Sequence, residues 1–277
     1  MMRVYISGIG LLGAGLDGWE KSIPVLSGQQ QPDDWTCQRP SATVMPAIER
    51  RRASAAVRLG VHVAQQALES SGLTSKDLSV VFSSSDGDTE IIDYLCQNLA
   101  TKEKIISPTR FHNSVHNAPA GYWSIATESR APSSSISCYD FSFAGGLLDS
   151  ACRVVTEDKP VLLSAFDIAV PDLLYAFQPI GSSFGIALVL EKNASDNSVA
   201  QLDLSVSRTE APVSRLSNTE LERLRQDNPS ARALPLLCAL ACGDDDKIVL
   251  ELPAGNRLDI ELKALPLTPS PSGRGRG

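Results

Sequence analysis

The stretch PSSSISCYDFSFAGGLLDSA, residues 132–151, changes its periodicity halfway along. Residues 133–137 are short and β-compatible, and after a small polar turn Phe143, Leu147, Leu148 and Ala151 recur at helical spacing. The pattern predicts a strand, a tight turn and a helix. A residue on such a turn points outward at a helix N-terminus, where unpaired backbone N–H groups and the positive dipole end favour a developing anion. Nucleophiles suit that position. Gly145 and Gly146, one turn into the helix, carry no Cβ and admit close approach of another backbone or a ligand.

A second informative stretch precedes it, FHNSVHNAPAGYWSIA, residues 111–126. His112 and His116 are four apart, as are Asn113 and Asn117, which on one helix would align two polar pairs on one face. A zinc site would need a further acidic ligand and a glutamate between the histidines, and both are missing. Pro119 also interrupts any helix that would hold the pair. Tyr122 and Trp123 are large aromatics of the kind that anchor interfaces, and core packing explains Trp123 equally well.

Composition excludes several function classes. A formal net charge of -7 argues against a nucleic-acid footprint, and the one basic cluster, Arg50 to Arg52, reads as a solvated helix or a spot attractive to an acidic protein. No apolar run is long enough to span a membrane, and the strand-like VYISGIG at the start is not a signal peptide, so a cytoplasmic protein is expected. The six cysteines (Cys37, Cys96, Cys138, Cys152, Cys238, Cys242) lie scattered in apolar segments and read as buried, reduced thiols. Cys238 and Cys242 sit four apart with no histidine nearby, which favours helix packing over metal binding. No cofactor and no metal is expected.

Working outward, the chain alternates strands and helices. Residues 3–8 read as a strand that enters a glycine-rich loop, whose glycines match neither the dinucleotide nor the Walker spacing. A helix over 16–26, a surface excursion over 28–46, and one amphipathic helix over 48–72 ending at Gly72 follow. His62 lies off the apolar stripe of that helix. Residues 78–83 form a strand, and Asp86, Asp88 and Glu90 read as caps of the next helix, which runs to about 100, rather than as a calcium loop. Strands over 160–164 and 181–191 complete an α/β pattern. Beyond it come a strand over 201–207, helices over 218–226 and 233–241, and a hairpin over 247–262. Residues 266–277, PLTPSPSGRGRG, read as a disordered tail.

The elbow, the 111–126 segment and the opening VYISGIGLLGAGLDGWEKSI together resemble the N-terminal half of β-ketoacyl-acyl-carrier-protein synthases. That resemblance implies a thiolase-like α/β fold over 1–192, an atypical and truncated C-terminal α+β region over 193–265 packed on it, and the tail over 266–277. In active members of the family the elbow carries a cysteine nucleophile, and the second half carries two catalytic histidines. Here alignment on Gly145 places Ser142 at the nucleophile position, and counting from Pro132 places Asp140 there. Cys138 falls earlier, at the end of the incoming strand, and no histidine follows His116.

The expected function is therefore a non-catalytic partner, similar to the chain-length factors that pair with active ketosynthases in polyketide and aryl-polyene pigment systems. A full-length ketosynthase would be its partner, with an acyl carrier protein reaching the complex. The segment holding Phe111, His116, Asn117, Ala120, Tyr122 and Trp123, and the helix holding Phe143, Gly145 and Gly146, would supply the contact. The competing readings are an acyltransferase or hydrolase that uses Ser142 with His112 or His116 as base, and a solitary binding module.

Overall fold

The computed structural model describes residues 1–208 and 211–265, so the 266–277 segment lies outside the described residues. In chain order the elements are β1 (Met2–Gly13), β2 (Leu16–Asp17), α1 (Trp19–Leu26), α2 (Ala47–Arg52), α3 (Ala55–Ser71), β3 (Ser79–Ser83), α4 (Thr89–Ala100), α5 (Pro108–Asn113), α6 (Ala118–Thr127), β4 (Ser133–Ile136) and α7 (Ser142–Glu157). There follow β5 (Val161–Asp167), α8 (Asp172–Tyr175), β6 (Phe184–Glu191), β7 (Ala200–Ser207), α9 (Thr219–Asp227), α10 (Leu234–Cys242), β8 (Asp246–Glu251) and β9 (Arg257–Ala264).

One mixed sheet organises the molecule, in the order β4-β3-β5-β6-β1-β7-β9-β8, with β2 paired to β1. β3 runs parallel to β4 and β5, while β6, β1, β7, β9 and β8 pair antiparallel in turn. Helices cover both faces. On one, Phe143 and Leu147 of α7 and Leu236 and Leu237 of α10 pack on Val4, Ile6 and Leu188. On the other, Leu59 and Val63 of α3 and Trp123 of α6 pack on Phe82, Leu162 and Phe166. Strands buried on both faces explain the nearly continuous apolar runs of β5 and β6.

Two sequence expectations change. The strand expected to end at Gly8 continues through Gly10 to Gly13, leaving Gly15 and Gly18 in the turns beyond it; α3 crosses so closely that a Cβ on Gly8 would overlap the Ala67 carbonyl oxygen, and one on Gly10 that of Val63. β7 leaves β1 after Ile6, and the buried N–H groups of Ile9 and Leu11, without a β7 partner, are met instead by Ser70 Oγ at 3.0 Å and Gln66 Oε1 at 2.8 Å. The single helix expected over 48–72 is two: Ala53 is extended, and Ser54 starts α3 by accepting from Val57 N at 3.3 Å. β6 and β7 flank β1 on opposite sides, so residues before and after 192 share one sheet, and the 193–198 stretch is a turn between those strands.

Gly72 and Asp88 act as the sequence predicts, and Asn218 provides a third cap. Gly72 closes α3 in the left-handed region, Asp88 Oδ1 caps α4 through Ile91 N, and Asn218 caps α9. Among the described residues, no helix is long and apolar enough to cross a membrane.

Candidate functional site

β4 delivers the chain to the predicted elbow at the carboxyl ends of β3 and β5, and α7 leaves it at Ser142. The turn is closed from inside. Phe141 N donates to the Cys138 carbonyl at 3.0 Å and Ser142 N to that of Tyr139 at 3.0 Å. The Ser142 hydroxyl accepts from Cys138 N at 3.0 Å and donates to the Tyr139 carbonyl at 2.6 Å. Ser142 is 0% exposed, and its own carbonyl accepts from Ser83 Oγ at 2.7 Å. Its oxygen holds the turn, and no imidazole is bonded to it. His116 contacts the Ser84 carbonyl through Nε2 at 3.2 Å, and His112 is exposed on α5. The two histidines do not share a helix: His112 is on α5, which ends at Asn113, and His116 is in the turn before α6, where Pro119 sits in the first helical turn instead of interrupting a longer helix. No Ser–His pair exists here.

Asp140 is the other predicted tip residue. Its carboxylate accepts from Arg232 Nη2 at 3.0 Å, and Arg232 also reaches Glu251 and lies over the Phe141 ring. The most projecting residue is Tyr139, at φ 53 and 72% exposed. A left-handed tyrosine is uncommon and costs about 1–3 kcal/mol of local strain, held here by the bonds around Ser142. Cys138 packs its sulfur against Gly145, where a Cβ would come within 2.7 Å. Gly146 likewise lets α7 sit on Leu163 and Ser83. The glycines therefore serve packing inside the chain.

Several expected contact residues are internal. Trp123 and Phe143 are 1% and 0% exposed, and Ala120, Tyr122 and Gly146 are also buried, so none offers an open face to a partner. The Tyr122 hydroxyl donates to Asn113 Oδ1 at 3.1 Å. Phe111 and Asn117 are exposed, and Phe111 with Val115, Ile125, Leu173, Tyr175 and Phe177 leaves large apolar groups facing outward. A cleft of about 480 Å³ between α2, α5 and α6 is lined by His112, Val115, Asn117, Tyr122 and Ile125 among others.

Behind the elbow lies a buried polar cluster the sequence did not announce. Asp167, at the end of β5, accepts from Ser85 N at 2.7 Å, Ser84 Oγ at 2.9 Å and Ser230 Oγ at 2.6 Å. Burial pushes its carboxyl up to about 7, against the pull of those three donors. Asn228 donates to the Asp167 and Ser182 carbonyls at 3.1 and 2.9 Å and accepts from Ser230 N. The segment before α10 is thus fastened to the strand ends, and it carries Arg232 to the elbow. A charged residue closing an otherwise apolar strand, VLLSAFD, was the available signal for Asp167; nothing local marked Arg232 or Tyr139.

The chain matches the family model described as beta-ketoacyl synthase, N-terminal domain, over residues 26–246. The match runs past residue 192, where the family pattern was expected to fail. No curated protein matches the sequence. Among solved structures, a chain of the ketosynthase (ApeO) in complex with its chain length factor (ApeC) from Xenorhabdus doucetiae is 22% identical with TM-score 0.70, covering 94% of this chain and 100% of that one. A chain of AntDE:AntF, a type II polyketide acyl carrier protein in complex with its ketosynthase, is 14% identical with TM-score 0.71 over 95% of this chain and 99% of that one. The ishigamide ketosynthase/chain length factor is 12% identical with TM-score 0.68 over 95% and 100% of the two chains. These likenesses establish a thiolase-like fold, and the family match establishes that the chain belongs to the β-ketoacyl synthase N-terminal domain family.

Proposed function

We propose that this chain is a non-catalytic, chain-length-factor-like subunit that pairs with an active ketosynthase in polyketide-type biosynthesis, of which aryl-polyene assembly is one form. The elbow carries the reading. Covalent catalysis needs a nucleophile free to attack and a base or lowered pKa to activate it. Ser142 is spent on the turn, Asp140 is paired with Arg232, and Cys138 faces Gly145. Three of the solved structures similar to this chain contain ketosynthases with chain length factors or a carrier protein. The outward apolar groups Phe111, Val115, Ile125, Tyr139 and Phe177 suit a protein partner better than solvent. Acyl carrier protein would then deliver its thioester to the ketosynthase of the pair, with this subunit bounding the space into which the chain grows.

The test is co-expression with a full-length ketosynthase whose elbow holds cysteine, followed by size-exclusion chromatography and intact-mass analysis after incubation with acyl and malonyl carrier protein. The expected result is a stable heteromeric complex that condenses, with the acyl adduct on the ketosynthase alone. An adduct on Ser142 would replace this reading with a serine acyltransferase. A monomer that ignores every ketosynthase offered would make it a solitary module.

A further inference from the structure

Away from the elbow, Arg39, Pro40, Ser41, Arg50, Arg51 and Arg58 line a cleft of about 380 Å³ where the 39–41 loop meets α2 and the first turns of α3. We propose that this cleft binds a small molecule carrying a diphosphate group. The proposal is independent of the ketosynthase pairing.

Four guanidinium groups face one concavity on a chain whose formal net charge is -7. Like charges held together cost Coulomb energy unless a counter-charge joins them, and this protein has acidic residues to spare. Among the described residues, Arg39, Arg50, Arg51 and Arg58 make no ion pair; Arg51 Nε donates only to the Ala47 carbonyl at 3.2 Å. Glu49 turns away to Arg52 at 3.7 Å, and Glu90 feels the Arg58 charge without reaching ion-pair distance.

The cleft is also built on a fixed scaffold. Ala42 is fully buried at φ 41, with its N–H on His62 Nδ1 at 3.4 Å. Val44 N donates to Gln65 Oε1 at 2.9 Å, and Gln65 Nε2 to Thr43 Oγ1 at 2.8 Å. These bonds tie the loop carrying Arg39 to α3, and α3 carries Arg58. Arg50 and Arg58 are half-buried, which reduces the side-chain freedom lost on binding.

The chemistry points to phosphate. Planar guanidinium forks bind phosphate oxygens in pairs, and four of them match a ligand with several negative charges. The volume falls in the range of small-ligand sites, about 300–1,000 Å³, and a concave cleft favours a compact anion over a flat acidic protein surface.

The experiment is calorimetric titration of the full chain with inorganic pyrophosphate and with ADP, on wild type and on Arg50→Gln, Arg58→Gln and the distant control Arg130→Gln. Both ligands are expected to bind in a salt-dependent way, each cleft variant to weaken binding by roughly tenfold, and Arg130→Gln to leave it unchanged. Unaltered melting temperatures would confirm that the cleft variants fold. Absence of binding at millimolar ligand would overturn the proposal, as would equal losses in Arg130→Gln. Competition by a polyglutamate peptide as effective as pyrophosphate would overturn it in favour of an acidic protein partner.

Discussion

Arg232, from the segment before α10, donates to the Asp140 carboxylate at 3.0 Å with one nitrogen and to Glu251 of β8 at 2.8 Å with another. The residue beside the elbow tip is therefore held by the last third of the chain. A planar fork spans two carboxylates on different elements in a way a single ammonium cannot. Arg232→Lys should keep one of the two contacts and Arg232→Ala neither, and because the carboxylates are partly exposed the loss should be modest, about 1–2 kcal/mol for Arg232→Ala. Urea unfolding measures it; equal stability of wild type and Arg232→Ala would show that the elbow stands without this clamp.

Ser142→Ala removes an acceptor for Cys138 N and a donor to the Tyr139 carbonyl, two part-buried bonds made by a fully buried hydroxyl. The expected cost is about 1–3 kcal/mol of stability, with condensation by a reconstituted complex unchanged. Loss of turnover without loss of stability would return Ser142 to the chemistry.

Asp167 gives a pH dependence of defined sign. Its carboxyl is raised to about 7 in the folded protein, so between the unfolded value near 4 and that point the native state holds more protons than the unfolded one. Stability from this group falls as pH rises across that window and levels off above it. Asp167→Asn should flatten the slope in melts followed from acid to neutral pH, and an unchanged slope would place the titration elsewhere.

Two glycines should respond in opposite ways to alanine. Gly10→Ala drives a methyl into the Val63 carbonyl across a backbone contact that has no flexible end, and should cost about 3 kcal/mol or more. Gly121→Ala in α6 meets nothing within 4 Å and should be neutral or gain up to about 1 kcal/mol from helix propensity. Thermal unfolding of the pair checks whether α3 lies on β1 as closely as described.

Ile125→Asp and Phe177→Asp alter exposed residues, so each should change stability by less than about 0.5 kcal/mol while abolishing co-purification with the ketosynthase. Gly146→Glu is unsuitable for that purpose, because its side chain would strike Leu163 and Ser83 inside the fold. Retained binding by both surface variants would move the partner to another face.

Local signals in the sequence determined a good deal. The switch from β-compatible to helical spacing over 132–151 located β4, the elbow and α7, and Gly72, Asp88 and Asn218 capped their helices as short-range chemistry requires. The absence of cysteine at the elbow tip and of any histidine after His116 was equally plain. What pairs with what was decided only in three dimensions. Gly10 looked like part of a loop because its reason, the carbonyl of Val63, lies on a helix more than fifty residues away. Ser142 looked free until the turn used both ends of its hydroxyl, and Asp140 gained Arg232 from 92 residues downstream. Caps and periodicity depend on neighbours in sequence, whereas burial, ion pairing and close backbone approach depend on contacts that exist only once the sheet has brought distant residues together.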